Sequence, residues 1–151
     1  MKEDQSYVVP KLDSGTVIDH LRARTALRCL QVLDLPEDTR VTVGINLESG
    51  RLGRKDIIKI GGHELSGEEA AKLALISPDA SLSIIRDYRV HVKHDLVPPL
   101  RFRGLIHCPN PGCITKAEPV KGAFLVLSND PVVVRCEYCE RSIEAADFLW
   151  E

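Results

Sequence analysis

Aromatic residues are scarce in this chain, and long apolar runs are missing. Only 5% of its 151 residues are Phe, Trp or Tyr, which is few for a protein that would stack single-stranded bases on exposed rings. No apolar stretch approaches the roughly 20 residues that a membrane-spanning helix requires. The first six residues carry charges where a signal peptide has its apolar core. We therefore expect a cytoplasmic protein without membrane association.

Neither sign of charge dominates, and familiar catalytic motifs are absent too. The sequence holds 20 Lys and Arg residues against 22 Asp and Glu residues, so it lacks the basic excess that nucleic-acid-binding domains use. It contains no glycine-rich P-loop, no GxSxG nucleophile elbow and no HExxH zinc motif. We predict a binding protein rather than an enzyme, and a zinc-ribbon nucleic-acid factor is the minority alternative.

Four of the five cysteines cluster in the last third of the chain. Four residues separate Cys108 from Cys113, two separate Cys136 from Cys139, and 22 residues lie between the two pairs. In a reducing compartment this spacing is typical of a structural zinc site, in which two tight turns each supply two thiolates. Four unrelated buried thiols or a redox-active CxxC would explain the clustering less well. Cys29 stands alone and is predicted to be a small core residue of a helix.

A proline-dense segment at residues 95–101 is the predicted boundary between two domains. It separates a first domain, residues 1–96, from a second domain, residues 97–151, that carries the clustered cysteines. About 50 residues are too few to fold by burying apolar surface alone, so the second domain should need its metal. Because prolines stiffen a linker, we expect this one to hold the two domains apart.

The first domain shows the strand and helix order of a ferredoxin-like fold. Strands are predicted at residues 15–21, 40–47, 55–60, 81–85 and 88–93. A capping box from Ser66 to Glu69 starts the second helix. The first helix is predicted to turn four residues to the core, namely Ala26, Leu27, Leu30 and Leu33. We therefore predict an α+β protein, with a β-α-β-β-α-β domain that has both helices on one face, followed by a small zinc-ribbon-like β domain.

Basic residues alternate with apolar ones on two of the predicted strands. Lys55 and Lys59 share one face of their strand, and strand alternation puts Arg89, His91 and Lys93 on one face of the last strand. Beside the first strand, such side chains would offer several donors to a phosphate-like anion. The same alternation occurs more often on the solvated side of an ordinary half-buried sheet, so the pattern alone leaves both interpretations open.

Four segments of the sequence closely resemble the aspartate carbamoyltransferase regulatory chain family. They are Gly15-Thr16-Val17-Ile18-Asp19-His20, the basic strand GRKDIIKI at residues 53–60, Cys108-Pro109-Asn110 and Cys136-Glu137-Tyr138-Cys139-Glu140. The resemblance extends over essentially the whole chain. It implies a non-catalytic subunit of the enzyme that commits carbamoyl phosphate and aspartate to pyrimidine synthesis, with a first domain that binds CTP or ATP.

The resemblance also implies which residues contact the nucleotide. Asp19 and His20 match positions that approach the ribose and the phosphates. Lys59 matches a lysine that contacts ribose and base, and Lys93 matches a lysine that contacts phosphate. The other positions that the resemblance places around the nucleotide are Leu12, Ser83, Ile85, Tyr88 and Val90.

Partners follow from the same resemblance. The first domain would pair with its twin through its sheet to form a regulatory dimer, and the domain with one structural Zn²⁺ would contact the catalytic chain. The expected assembly is a dodecamer of two catalytic trimers and three regulatory dimers. The sign of each effector, and whether UTP with Mg²⁺ joins CTP, stay open.

Overall fold

A computed structural model describes residues 11–151 as a mixture of strands and short helices. The first part contains β1 (Gly15–Arg22), α1 (Ala26–Val32), β2 (Val41–Ser49), β3 (Gly53–Gly61), α2 (Gly67–Ile76), β4 (Ser81–Arg86) and β5 (Arg89–Asp95). The second part contains β6 (Arg101–Arg103), β7 (Ile106–His107), α3 (Ile114–Ala117), β8 (Ala123–Asn129), β9 (Val132–Cys136), β10 (Ser142–Glu144), a 3₁₀ turn (Ala145–Asp147) and β11 (Leu149–Trp150). No helix within residues 11–151 is long and apolar enough to cross a membrane. The predicted α+β class is confirmed.

The first part is built on a five-stranded antiparallel sheet in the order β2-β3-β1-β4-β5. The order β2-β3-β1-β4 is that of a ferredoxin-like unit, and β5 adds an edge strand beside β4. Both helices pack on one face of the sheet, where Cys29, Ile58 and Leu73 are completely buried in a common core. Among the described residues no helix covers the opposite face, which we call the open face.

Helix α1 ends at Val32, one residue before the last predicted core residue, Leu33. Fewer of its side chains are buried than the sequence predicted. Ala26, Cys29 and Leu33 are buried, at the three- and four-residue spacing of one helix face. Leu27 lies about a quarter-turn away and is 59% exposed, so its predicted core position is wrong. The prediction that Cys29 is a core residue is confirmed.

Both neighbours of β3 carry a bulge. In β1, Asp19 and His20 interrupt the regular pairing with β3, and in β2 the pairing skips Ile45 and Asn46. The second residue of each bulge has a left-handed backbone, with φ of +57° at His20 and +59° at Asn46. A bulge bends its strand and re-aims its side chains. The bulge in β1 therefore gives Asp19 and His20 directions that a regular strand would not.

The edge strand β5 also has a bulge, which corrects one prediction. Val92 pairs with Ile84 and Val90 pairs with Ile85, so His91 has no partner in β4. As a result, Lys93 and Val90 both lie on the open face. Arg89 and Val92 lie on the other face. The expectation that Arg89, His91 and Lys93 share a face is wrong, because the inserted residue reverses the alternation.

The second part consists of small β-sheets around its own core. Its four-stranded sheet has the order β10-β9-β8-β6, and β11 pairs with β7. Its central pair, β8 and β9, is antiparallel. Its core combines apolar side chains such as Ile106, Phe124 and Val134 with three buried cysteines. A core of this size fits the zinc-ribbon-like β region that the sequence predicted.

The two parts touch, although the linker was expected to hold them apart. Leu75 of α2 belongs to the core of the second part, and Trp150 packs against both cores. Arg28 Nη2 donates a hydrogen bond of 3.3 Å to the Ala145 carbonyl across the same contact. Leu96 and Pro98 of the linker are themselves buried. Apolar burial therefore outweighs the stiffness of the prolines, and the predicted separation is wrong.

Candidate functional site

A row of four paired residues runs from β3 to β5 on the open face of the five-stranded sheet, and Thr42 of β2 pairs with its first member. Lys59 of β3 pairs with Val17 of β1, Val17 pairs with Ser83 of β4, and Ser83 pairs with Lys93 of β5. Directly paired residues project to the same side of a sheet. Since Ile58 and Ile60 point into the core, this row lies on the open face. Two lysines thus stand at its ends with small neutral residues between them.

The bulge in β1 forms a polar cluster beside this row. Lys55 Nζ lies 2.8 Å from Asp19 Oδ1, and the same oxygen accepts the His20 N–H at 2.6 Å. The His20 ring Nδ1 and Ser81 Oγ are 3.3 Å apart. Burial by itself raises the pKa of Asp19, but the hydrogen bonds from Lys55 and His20 outweigh it and lower the pKa below 3.8. Asp19 is therefore an ionised acceptor at neutral pH.

The turn between β4 and β5 closes the other end of the open face. Ile85 and Val90 pair directly there. The two turn residues, Asp87 and Tyr88, have φ of +50° and +63°, as a tight two-residue hairpin with a right-handed twist requires. The Tyr88 N–H donates to the Asp13 carbonyl at 2.9 Å, which brings the neighbouring Leu12 to this end. The segment that precedes β1 is thereby fixed beside the hairpin.

The structure thus brings the residues implied for the nucleotide to one surface. Six of them lie on the open face by strand register, namely Asp19, Lys59, Ser83, Ile85, Val90 and Lys93. His20 joins them through Ser81, while Leu12 and Tyr88 meet at the hairpin end. By strand register the open face carries Lys55, Lys59, Lys93 and Arg22 as basic residues, and Asp19 and the exposed Asp95 as acidic ones. Such a surface can bind an extended ligand that carries both negative charge and other polar groups.

Two members of this surface were not predicted as site residues. The sequence predicted that Lys55 shares a face with Lys59. Its contact with Asp19 depends on the bulge in β1, and no sequence pattern predicts that bulge. Ser81 is almost completely buried and positions the His20 ring. Its only sequence signal is its place at the start of a predicted strand.

The four clustered cysteines meet at one point in the second part. Cys108 follows β7, Cys113 precedes α3, Cys136 ends β9 and Cys139 lies in the next turn. Their Sγ atoms all lie within 4.8 Å of one another, with 3.6 Å between Cys108 and Cys139 and 3.8 Å between Cys113 and Cys136. Tetrahedral zinc–thiolate bonds of about 2.3 Å place neighbouring sulfurs about 3.8 Å apart. The cluster therefore has the dimensions of a four-thiolate zinc site.

The surroundings of these thiols shift their pKa values in opposite directions. Burial raises the pKa of Cys108. Burial acts in the same direction on Cys139, but the Asn110 side chain and the Arg141 N–H outweigh it, and its pKa is lowered. Thr115 donates its hydroxyl hydrogen to Cys113 Sγ at 3.2 Å. A divalent ion at the centre would keep all four sulfurs as thiolates and close the site to water.

Comparisons with known proteins match both parts of the chain. Residues 7–97 match the family model described as aspartate carbamoyltransferase regulatory chain, allosteric domain. Residues 101–149 match the model described as aspartate carbamoyltransferase regulatory chain, metal binding domain. This chain belongs to the aspartate carbamoyltransferase regulatory chain family. The open face lies within the allosteric domain and the four-cysteine cluster within the metal-binding domain.

Relatives from several organisms support this assignment over nearly the full length. The aspartate carbamoyltransferase regulatory chain of Methanopyrus kandleri is 47% identical over 138 residues, which cover 89% of this chain and 88% of the relative. That of Methanothermobacter thermautotrophicus is 44% identical over 147 residues, covering 96% and 94%. That of Halobacterium salinarum is 46% identical over 146 residues, covering 95% and 93%. Because these relatives are regulatory chains, the prediction of a non-catalytic subunit is confirmed.

Proposed function

We propose that this regulatory chain binds CTP and ATP on its open face and thereby tunes the activity of aspartate carbamoyltransferase. The observation that carries the proposal is the row from Lys59 to Lys93 beside the Asp19–His20 bulge. Lys59 would contact base and ribose, and Lys93 the phosphates. Asp19 would accept a hydrogen bond from a ribose hydroxyl, since its carboxylate is ionised at neutral pH.

Regulation requires each effector to distinguish two states of the enzyme. A ligand that binds both states equally shifts nothing, however tightly it binds. CTP, as the end product, would favour a compact assembly of low activity, and ATP an expanded assembly of high activity. The coupling expected between effector and catalytic sites is about 1–3 kcal/mol.

We further propose that the four cysteines Cys108, Cys113, Cys136 and Cys139 hold one structural Zn²⁺, and that this part docks the catalytic chain. The boundary between the two functional domains would lie in the linker, near residue 97. Exposed apolar side chains stand close to the cysteine turns, among them Ile114, Val120 and Tyr138. Apolar groups held on a metal-braced scaffold suit a stable protein interface.

The regulatory dimer would form through the edge strand β2. Among residues 11–151 no strand pairs with the outer side of this nine-residue strand, and Ile45 and Leu47 are 46% and 41% exposed. The other edge, β5, carries Arg89 and Lys93, whose charges disfavour pairing with a second copy. Three such dimers would join two catalytic trimers in a cytoplasmic dodecamer, where thiols stay reduced.

Calorimetry of the full-length, zinc-loaded chain with CTP tests the nucleotide site. We expect saturable CTP binding that ATP displaces, with UTP plus Mg²⁺ as a third titrant. Lys59→Ala should weaken CTP binding at least tenfold without releasing zinc, whereas Lys121→Ala in the second part is the matched control and should bind normally. Unchanged CTP affinity in Lys59→Ala would contradict the assignment of the open face.

A further inference from the structure

Asp56 is a completely buried carboxylate that faces neither the open face nor the cysteine cluster. It lies on β3 and points into the core between the sheet and the helices. Its Oδ2 accepts the Ala26 N–H at 3.0 Å, and its Oδ1 accepts the Asn46 N–H at 2.8 Å. A carboxylate is rarely buried fully unless specific donors compensate the loss of water. Two backbone donors from different elements do so here.

One donor belongs to the bulge of β2, and the other begins the helix that follows β1. Asn46 is the left-handed residue of the bulge in β2. Ala26 is the first residue of α1, four positions beyond the end of β1, whose bulge carries Asp19 and His20. The same carboxylate therefore fixes the edge strand β2 and the chain that leaves β1.

The position of Asp56 also determines where its neighbour Lys55 points. Successive side chains of a strand project to opposite faces. With Asp56 held in the core by its two hydrogen bonds, Lys55 projects to the open face, where its ammonium group contacts Asp19 at 2.8 Å. Any slip of β3 at this point would move Lys55 away from Asp19.

We propose that Asp56 is a positioning residue of the effector site, which holds the Asp19–His20 bulge and Lys55 in place and ties them to the bulge of β2. It contacts no effector, because it lies on the opposite side of the sheet. The proposal rests on the proposed binding of CTP to the open face. It assigns a role in that binding to a residue of the core.

The substitution Asp56→Asn tests the hydrogen bonds of Asp56 separately from its packing, because Asn has nearly the same shape. An amide has one acceptor oxygen, and its NH₂ group can only donate. Whichever way the amide is turned, one of the two backbone N–H groups loses its acceptor and meets a second donor. The matched control is Leu73→Ala, which opens a cavity in the same core and leaves the contacts of Asp56 intact.

The zinc-loaded, full-length variants are compared by amide NMR spectra and by CTP calorimetry. Both measurements are made at a temperature where all variants are folded. For Asp56→Asn we expect displaced Asp19, His20 and Asn46 amide signals and a CTP affinity reduced about tenfold. For Leu73→Ala we expect a lower melting temperature and an affinity within twofold of the parent chain. A merely structural role would lower the melting temperature of both variants alike and leave CTP affinity unchanged.

Each result separates this proposal from the proposed function. If Asp56→Asn leaves the Asp19 and His20 signals in place, Asp56 does not position the site, whether or not CTP binds. If the parent chain binds no CTP, the proposed function fails and the role of Asp56 in it fails as well. Equal losses of affinity in Asp56→Asn and Leu73→Ala would also overturn the proposal. Should Asp56→Asn not fold, Asp56→Glu, which keeps both acceptors but moves them by one methylene, must displace the same signals.

Discussion

The ammonium group of Lys55 lies 2.8 Å from the carboxylate of Asp19. The acceptor that we assign to a ribose hydroxyl is thus already paired in the free chain. Both side chains are only 20% and 28% exposed, so this ion pair is less screened than one on the surface. An effector that approaches Asp19 must share it with Lys55 or displace Lys55 towards the phosphates.

The ion pair predicts the titration of Asp19. In Lys55→Gln the lowering influence of the ammonium group is lost, while the burial that raises the pKa remains. The pKa of Asp19 should therefore rise above its value in the parent chain. Carboxyl-carbon NMR over an acid titration measures it directly. Lys72→Gln, on α2, is the control and should leave the Asp19 titration unchanged; an equal curve for Lys55→Gln and the parent would contradict the pairing.

The edge strand β2 predicts the effect of a charge on dimer formation. Leu47→Lys would place an ammonium group in the proposed contact between two copies, where its desolvation is unfavourable. Analytical ultracentrifugation should show a monomer at concentrations where we expect the parent chain to form a dimer. Val92→Lys on β5, which has a similar exposure of 43%, is the matched control. A shift to monomer caused only by Val92→Lys would move the interface to the opposite edge.

The cysteine cluster predicts the stoichiometry of metal release. Titrating thiols with an organomercurial, in the presence of a coloured zinc chelator, should release one zinc per four thiols. Because apparent binding energies of structural zinc reach about 10–16 kcal/mol, release should unfold the metal-binding part. The fluorescence of Trp150, the sole tryptophan of the chain, reports on that part and on its contact with the first core.

Substitution of one ligand extends this test to assembly. Cys113→Ser should lose zinc and no longer co-elute with the catalytic chain. Cys29→Ser, in the core of the first part, should keep one zinc and assemble normally. Normal assembly of zinc-free Cys113→Ser would contradict a structural role for the metal.

The N-terminus of α2 predicts an acid-sensitive contribution to stability. Glu69 accepts the Ser66 N–H at 3.0 Å and lies 3.1 Å from His63 Nε2. Burial raises its pKa, but the Ser66 N–H and His63 outweigh it, and the pKa falls below 4.5. Since the folded-state pKa is lowered, the stabilisation is complete above pH 4.5 and is lost as the pH falls through the folded-state pKa.

Urea unfolding as a function of pH measures this contribution. Glu69→Gln should lower the free energy of unfolding at pH 7 by about 0.3–1 kcal/mol, because Gln keeps the capping hydrogen bond but loses the negative charge at the start of the helix. The difference from the parent should shrink as the pH falls below 4.5. Glu68→Gln, at the neighbouring first-turn position without a capping bond, should change stability much less. A difference that persists undiminished at low pH would show that the charge of Glu69 is irrelevant.

Features fixed by local chemistry could be predicted from the sequence. The capping box of Ser66 and Glu69 needs only residues three positions apart, and it marks the start of α2 correctly. The four cysteines carry their chemistry in their residue type and spacing, and their Sγ atoms do converge. The order of strands and helices follows from periodicity and turn residues.

Features that depend on register between strands could not be predicted. The bulge at His91 reverses the faces of Arg89 and Val90 because it depends on how β5 pairs with β4. The contact of Lys55 with Asp19 exists because β1 bulges where β3 passes. The contact of Leu75 and Trp150 with the second core results from packing between distant segments. None of these has a signal within a few residues of sequence.

In the proposed function, the distance between Lys59 and Lys93 would also select ligands by their length. Adjacent strands lie about 4.8 Å apart, so three steps across the sheet separate the two Cα atoms by about 14 Å. A nucleoside monophosphate lacks the two outer phosphates and would satisfy one lysine at the cost of the other. Bound in this way, the face would distinguish nucleotides by their degree of phosphorylation. The chain would then respond to the energy-rich fraction of the nucleotide pool rather than to its total size.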